Sequence, residues 1–196
     1  HLAKITGKPL RFIANQKLGR SAAGNSGLAS ARGKWCVFLD DDDLLFADHV
    51  ETLSNALVKN PNCVASYSLA WEVITSNDKP YKEFSHGIPW FLRQVFCYET
   101  LKERNFMPIQ SVLFSRELFL QRGGFDLDLD ALEDWVLWKK YAYNNEFIYV
   151  PRVTSLFRTP ADPEKIHARN QAFEDAYPLA TAKHFDFLIS KSELEQ

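Results

Sequence analysis

An unbroken apolar run, Trp35-Cys36-Val37-Phe38-Leu39, ends abruptly in four aspartates, Asp40-Asp41-Asp42-Asp43. A continuous run of this kind reads as a strand buried on both faces of a parallel sheet. Four adjacent carboxylates repel one another, which costs free energy at neutral pH unless a cation sits among them. In open α/β sheets, ligands bind beyond the carboxyl ends of the strands, and these aspartates fall there. Hard divalent cations such as Mg²⁺ or Mn²⁺ prefer oxygen ligands, commonly one or two carboxylates plus substrate phosphates and water. Asp-x-Asp at a strand end therefore points to a metal bridging protein and diphosphate. The alternative is a solvated acidic turn in which Asp43 or Asp48 caps the next helix. A phosphatase-type Asp-x-Asp-x-Thr is not supported, because Leu44 stands two residues after Asp42.

The rest of the chain alternates between strand and helix signals. Leu10 to Ile13 is strand-like, and Asn15 to Arg20 reads as a turn. Ser21 is placed to cap a helix of small residues through Ala31, ended by Gly33. A helix over 47–59 carries an apolar stripe of Val50, Leu53, Leu57 and Val58 and stops at Asn60-Pro61. Strands are predicted over 63–74, 111–114, 147–150 and 153–157, and helices over 90–101, 116–121, 133–143 and 164–183. The segment 75–87 is polar and loop-like. This alternation predicts an α/β fold with a mostly parallel central sheet flanked by helices.

The 196 residues suit one domain, 1–196, and the 46% hydrophobic content is enough for a sizeable core. A net charge of −2 gives no general attraction to nucleic acid or to anionic lipid. The aromatic residues belong mainly to the core, with sugar stacking as their alternative use. Cys36, Cys63 and Cys97 are an odd number without metal-ligand spacing, so a reducing compartment is the simpler reading. No apolar run is long enough to form a transmembrane segment.

A second acidic group, Glu133-Asp134-Trp135, opens the helix over 133–143. Acidic residues in a first turn complement the helix dipole without further purpose. In a cleft, partial desolvation would instead raise one carboxylate's pKa and suit it to general-base work. Just upstream, Asp126, Asp128 and Asp130 imitate an EF-hand loop. Ala131 at the glycine position and Leu137 at the closing position argue against calcium.

Taken in order, these residues resemble family-two glycosyltransferases of the GT-A (Rossmann-like) fold. The resemblance rests on Asn15 to Gly27 with the Ala31-Arg32-Gly33 turn, on Phe38-Leu39-Asp40-Asp41-Asp42-Asp43, on Gly123-Gly124-Phe125-Asp126, and on Leu132-Glu133-Asp134-Trp135-Val136-Leu137-Trp138. It implies an inverting enzyme that moves a sugar from a nucleotide-diphosphate donor to the hydroxyl of a saccharide or lipid-linked saccharide, as in polysaccharide biosynthesis. It implies Asp42 as the ligand of Mn²⁺ or Mg²⁺, and Asp40, Asp41 and Asn25 as nucleotide-sugar-binding residues. Asp134 matches the general base, and Glu133 and Trp135 lie on the acceptor side. Acceptor choice is expected in the segment 75–107. The expected location is cytoplasmic, extending to the inner face of a membrane.

Departures from the family pattern accompany the match. Only thirty-nine residues precede Asp40, so the family's first nucleotide-binding strand–helix units are expected to be missing. Gly24 stands where Arg is usual before the helix Asn, and Pro160 where a metal-reaching His is usual, with His167 as a substitute. Two other readings compete. A sugar nucleotidyltransferase would want a Gly-rich, basic phosphate loop near the N-terminus, and none is visible. A non-catalytic glycan-binding or scaffold module would not need both Asp42 and Asp134.

Overall fold

A computed structural model describes residues 10–14, 19–76 and 80–185. In chain order the helices are α1 (Arg20–Ser30), α2 (His49–Lys59), α3 (Tyr98–Glu103), α4 (Arg116–Arg122), α5 (Glu133–Ala142) and α6 (Pro163–Ala182). The strands are β1 (Trp35–Cys36), β2 (Leu44–Leu45), β3 (Cys63–Thr75), β4 (Glu83–Gly87), β5 (Val112–Ser115) and β6 (Glu146–Pro160). They form one sheet in the order β1-β5-β3-β6-β2, with β4 on β3. The expected α/β class holds, but the pairing corrects the expectation of a mostly parallel sheet. The long central pair β3–β6 is parallel, while β1–β5, β5–β3, β3–β4 and β2–β6 are antiparallel.

The apolar run before the aspartates is also corrected. Only Trp35 and Cys36 pair, and among the described residues their partner is β5 alone. Phe38 leaves the ladder and packs on Phe114 and Phe125, with ring centroids 5.7 and 5.0 Å apart. Its hydrophobicity is thus satisfied by an aromatic cluster and not by a second neighbouring strand.

Other differences have local causes. α1 starts at Arg20 behind Gly19, whose φ of 89° favours glycine, and Ser21 lies inside the helix with its hydroxyl donating to the Leu129 carbonyl. The stripe of α2 narrows to Leu53 and Leu57 beside buried His49, because Val50 and Val58 are exposed. The polar segment before Gly87 contains β4, an exposed edge strand without alternating apolar residues to announce it. The helix expected over 90–101 breaks into a 3₁₀ turn, Trp90–Leu92, and α3. The two strands expected over 147–157 are one, β6, with a register shift where Ser68 pairs Val150 and Leu69 pairs Val153. Pro151, which lacks an N–H, sits in that shift. Residues 10–13 have no regular structure, and Asn15 to Leu18 of the expected turn lie outside the described residues.

The core is built on α5. Trp135, Trp138 and Tyr141 are fully buried, and Trp138 meets Phe114 of β5 edge-on. Both indoles donate to backbone carbonyls, Trp135 to Leu101 and Trp138 to Met107. Buried Lys139 donates to the Ala180 and Lys183 carbonyls and so ties α5 to the end of α6. These contacts fix the start of α5 relative to the sheet. No helix among the described residues is long and apolar enough to cross a membrane.

Candidate active site

The four aspartates occupy the turn between β1 and β2. The turn closes through the Asp43 N–H on the Asp40 carbonyl, and β2 anchors its far side by pairing Leu44 with Leu156 of β6. That pairing brings Arg158 alongside. Its backbone N–H donates to Asp43 Oδ1 at 3.1 Å, and its guanidinium donates to the Asp42 carbonyl. The ring of Tyr81 lies 4.7 Å from the same guanidinium. Asp40, Asp42 and Asp43 each place a carboxylate oxygen within 4.8 Å of the others. Burial, together with the Asp42 and Asp40 charges, pushes the Asp43 carboxyl up to about 7 despite the Arg158 N–H. Three converging hard oxygen donors are the ligand set that suits Mg²⁺ or Mn²⁺.

The second acidic group reaches the same region through a strained turn. Leu132, the residue before α5, has φ 61°, a left-handed conformation unusual for a side chain of its size. Glu133 then points inward and is only 5% exposed. Arg20 at the start of α1 lies between the two groups, with Nη2 2.9 Å from Asp40 Oδ2 and Nε 3.5 Å from Glu133 Oε1. These three residues, with Gly24, Phe38 and Phe125, line a cleft of about 270 Å³. The half-buried Asp134 accepts from its neighbour's backbone, Trp135 N–H at 2.7 Å, and from Asn105 Nδ2 at 3.0 Å. Burial, then repulsion from Glu133, raises its carboxyl to about 7 against those hydrogen bonds and Arg20.

Asn25 braces the wall between the two groups. Its Nδ2 donates to the Phe125 carbonyl and its Oδ1 accepts from the Phe125 N–H. The approach is so close that a Cβ at Gly124 would run into the Asn25 amide. A Cβ at Gly24 would likewise meet the Phe125 ring, 2.8 Å from Cδ2. Gly24 therefore makes room for the ring that floors the cleft.

The residues expected at the site are distributed as follows. Asp40 and Glu133 line the cleft, Asp42 joins the carboxylate cluster, and Asp134 sits beside Glu133 but turns toward Asn105. Asp41 lies in the same turn outside the three-carboxylate cluster. Both polar ends of Asn25 are engaged by Phe125. Trp135 is 1% exposed and stacks on Tyr177, so it packs the core where an acceptor-side position was expected. His167 is on the exposed surface of α6 and outside the cluster. Asp126 pairs with Lys140 and Lys183, and Asp128 with Lys183. Lysines thus occupy the loop that imitates an EF-hand. Sequence reasoning missed Arg20, Asn105 and Tyr81 as members of the site.

The family model for glycosyl transferase family 2 matches residues 1–119. Among curated proteins, the chain is similar to an uncharacterized glycosyltransferase of Haemophilus influenzae, 25% identical over 133 residues covering 65% of this chain and 42% of that protein. It is similar to an uncharacterized protein of Mycobacterium tuberculosis, 26% identical over 166 residues covering 79% and 51%. An uncharacterized glycosyltransferase of Rickettsia conorii is 27% identical over 181 residues, covering 87% and 29%. The chain thus spans about half or less of the length of these relatives. Among solved structures, S. aureus TarS 1-349 superposes with a TM-score of 0.54 at 15% identity, covering 77% of this chain and 42% of that one. The complex of the same protein with UDP-GlcNAc gives 0.56 at 12% identity, covering 86% and 49%. At such identities the likeness concerns the fold.

Proposed function

This chain belongs to glycosyl transferase family 2, and on that premise we propose that it carries the catalytic centre of an inverting, metal-dependent sugar transferase. The observation that carries the reading is Arg20, within ion-pair distance of both Asp40 and Glu133, which puts the two acidic groups on one cleft. The donor is a nucleotide-diphosphate sugar of the uridine class, by analogy with the UDP and UDP-GlcNAc complexes of TarS. The acceptor is the hydroxyl of a saccharide or lipid-linked saccharide.

Asp42, with Asp40 and Asp43, would hold Mn²⁺ or Mg²⁺. When bound, that ion would supply positive charge to the leaving diphosphate. Arg158 keeps the acidic turn in register with β6, and Asp41 faces the nucleotide portion of the donor. Asp134, presented by Asn105 and the start of α5, accepts the proton of the acceptor hydroxyl. That oxygen attacks the anomeric carbon while the carbon–oxygen bond to the diphosphate breaks, so configuration inverts. Glu133 orients the acceptor from the cleft wall. A carboxyl poised near neutral pH suits the base role, because it is ionised in use yet basic enough to take the proton.

The test is a screen of UDP-sugars with saccharide acceptors, following nucleotide release with and without Mn²⁺. Mn²⁺-dependent release that vanishes in Asp134→Asn is expected. Release independent of both the metal and Asp134 would overturn the reading.

A further inference from the structure

α6 is a long helix with little burial of its own. Of its 20 residues only Ala180 is buried. Arg169, Phe173 and Tyr177 are spaced four apart and so share one face. Both ends of that stripe touch the body. Arg169 Nη1 donates to the Thr159 hydroxyl of β6 at 3.3 Å, and the Tyr177 hydroxyl donates to the Glu103 carbonyl at 3.3 Å. The Tyr177 ring also stacks on Trp135, with centroids 5.6 Å apart. Yet Phe173 stays 37% exposed and Tyr177 48%. Two rings that face the body without being covered by it border an opening. A single exposed aromatic needs no explanation, but two on adjacent turns beside a catalytic residue mark a ligand surface.

The opening adjoins Asp134. Trp135, under Tyr177, directly follows Asp134 in α5. Glu103, which accepts from Tyr177, stands two residues before Asn105, whose side chain donates to Asp134. The donor cleft is built differently, from Arg20, Phe38, Asp40 and Glu133 among others, and no residue of α6 lines it. An attacking hydroxyl must reach the anomeric carbon opposite the departing diphosphate, so donor and acceptor need separate approaches to the base. A sugar ring offers an apolar face of C–H groups that packs on an aromatic face, and rim hydroxyls that need hydrogen-bond partners. Tyr177 is held at its ring by Trp135 and at its hydroxyl by Glu103, so stacking on it costs little ordering entropy. The Arg169 guanidinium, 5.2 Å from the Phe173 ring, supplies donors for rim hydroxyls.

We propose that Tyr177 and Phe173 form the wall on which the acceptor stacks, and that this acceptor is an oligosaccharide. The proposal rests on the sugar-transfer reading for the reaction it serves. The sugar on Tyr177 presents its hydroxyl to Asp134. The next sugar lies on Phe173, about 6 Å along the helix at four residues' rise.

The experiment titrates the protein with cellotetraose, maltotetraose and chitotetraose, and with glucose and N-acetylglucosamine, by ligand-observed NMR. At least one tetraose should bind roughly tenfold tighter than its monosaccharide. Tyr177→Ala should weaken that tetraose roughly tenfold, the scale of one aromatic stack, while Tyr177→Phe keeps the ring and most of the affinity. Phe173→Ala should weaken the tetraose several-fold and leave the monosaccharide unchanged. Mn²⁺-dependent UDP binding should be the same in all three variants. Thermal melting identifies folded variants, and Phe173→Ala carries the test should Tyr177→Ala fail to fold. No binding by any tetraose, or tetraose affinity unchanged in Tyr177→Ala or in Phe173→Ala, would overturn the wall. Tyr177-dependent binding without any sugar transfer would sink the transfer reading and keep the wall. Asp134-dependent transfer with an unchanged acceptor KM in Tyr177→Ala would do the reverse.

Discussion

Asp134→Asn separates the chemistry of this residue from its shape. Burial and Glu133 raise the carboxyl from 3.8 to about 7. Because the folded value lies above the unfolded one, the contribution favours the fold below about 4 and is lost as pH rises through about 7. Fully expressed, a rise of roughly three pH units corresponds to about 4 kcal/mol. Asn carries no charge and escapes that penalty, although it accepts more weakly from Trp135 N–H and Asn105. Those hydrogen bonds do not change with pH in the Asn variant, so the pH dependence isolates the charge. Between pH 5 and pH 8 the stability of Asp134→Asn relative to the unaltered protein should grow by about 3 kcal/mol. Urea unfolding followed by tryptophan fluorescence at pH 5, 6.5 and 8 measures this. Turnover should fall by roughly two to four orders of magnitude in the same variant, and in the unaltered protein it should rise as pH climbs through about 7. A stability difference that is flat with pH, or turnover that survives the substitution, would refute the reasoning.

Asp42→Asn should abolish Mn²⁺-dependent binding of UDP while leaving the melting temperature nearly unchanged, and calorimetry with and without the metal checks both halves. Arg158→Ala removes the donor to the Asp42 carbonyl and the cation beside Tyr81, so the same titration should show UDP affinity weakened roughly tenfold, the scale of one charged hydrogen bond. Asn25→Ala deletes both bonds to Phe125 and should lower stability by about 1–3 kcal/mol in denaturant unfolding.

Much of this protein is local and was therefore legible in the chain. The α2, α5 and α6 helices, the β3 strand and the stop at Gly123 depend on periodicity, caps and a positive φ, which neighbouring residues specify. The aspartate group was visible because four adjacent carboxylates repel one another without a cation, whereas Glu133 and Asp134 at a helix start stood out only beside the other motifs. The strand pairings were not visible. Whether Trp35 to Leu39 becomes an inner parallel strand or a two-residue antiparallel edge depends on what else can bury Phe38, and Phe114 and Phe125 lie far along the chain. β4 has no apolar alternation, so only its pairing with β3 reveals it. Within the site, the aspartates can be read as acidic but not as paired. Arg20 meets Asp40 across twenty residues and Asn105 meets Asp134 across twenty-nine, and Asn25 reaches Phe125 across a hundred. Trp135 shows the converse, since a residue adjacent to Asp134 in sequence rotates into the core on the helix. Composition and spacing determine which charges the chain carries. Only the packing of α1 and α5 against the sheet decides which of them share a cleft, because ion pairing and desolvation act through distances that sequence separation does not encode.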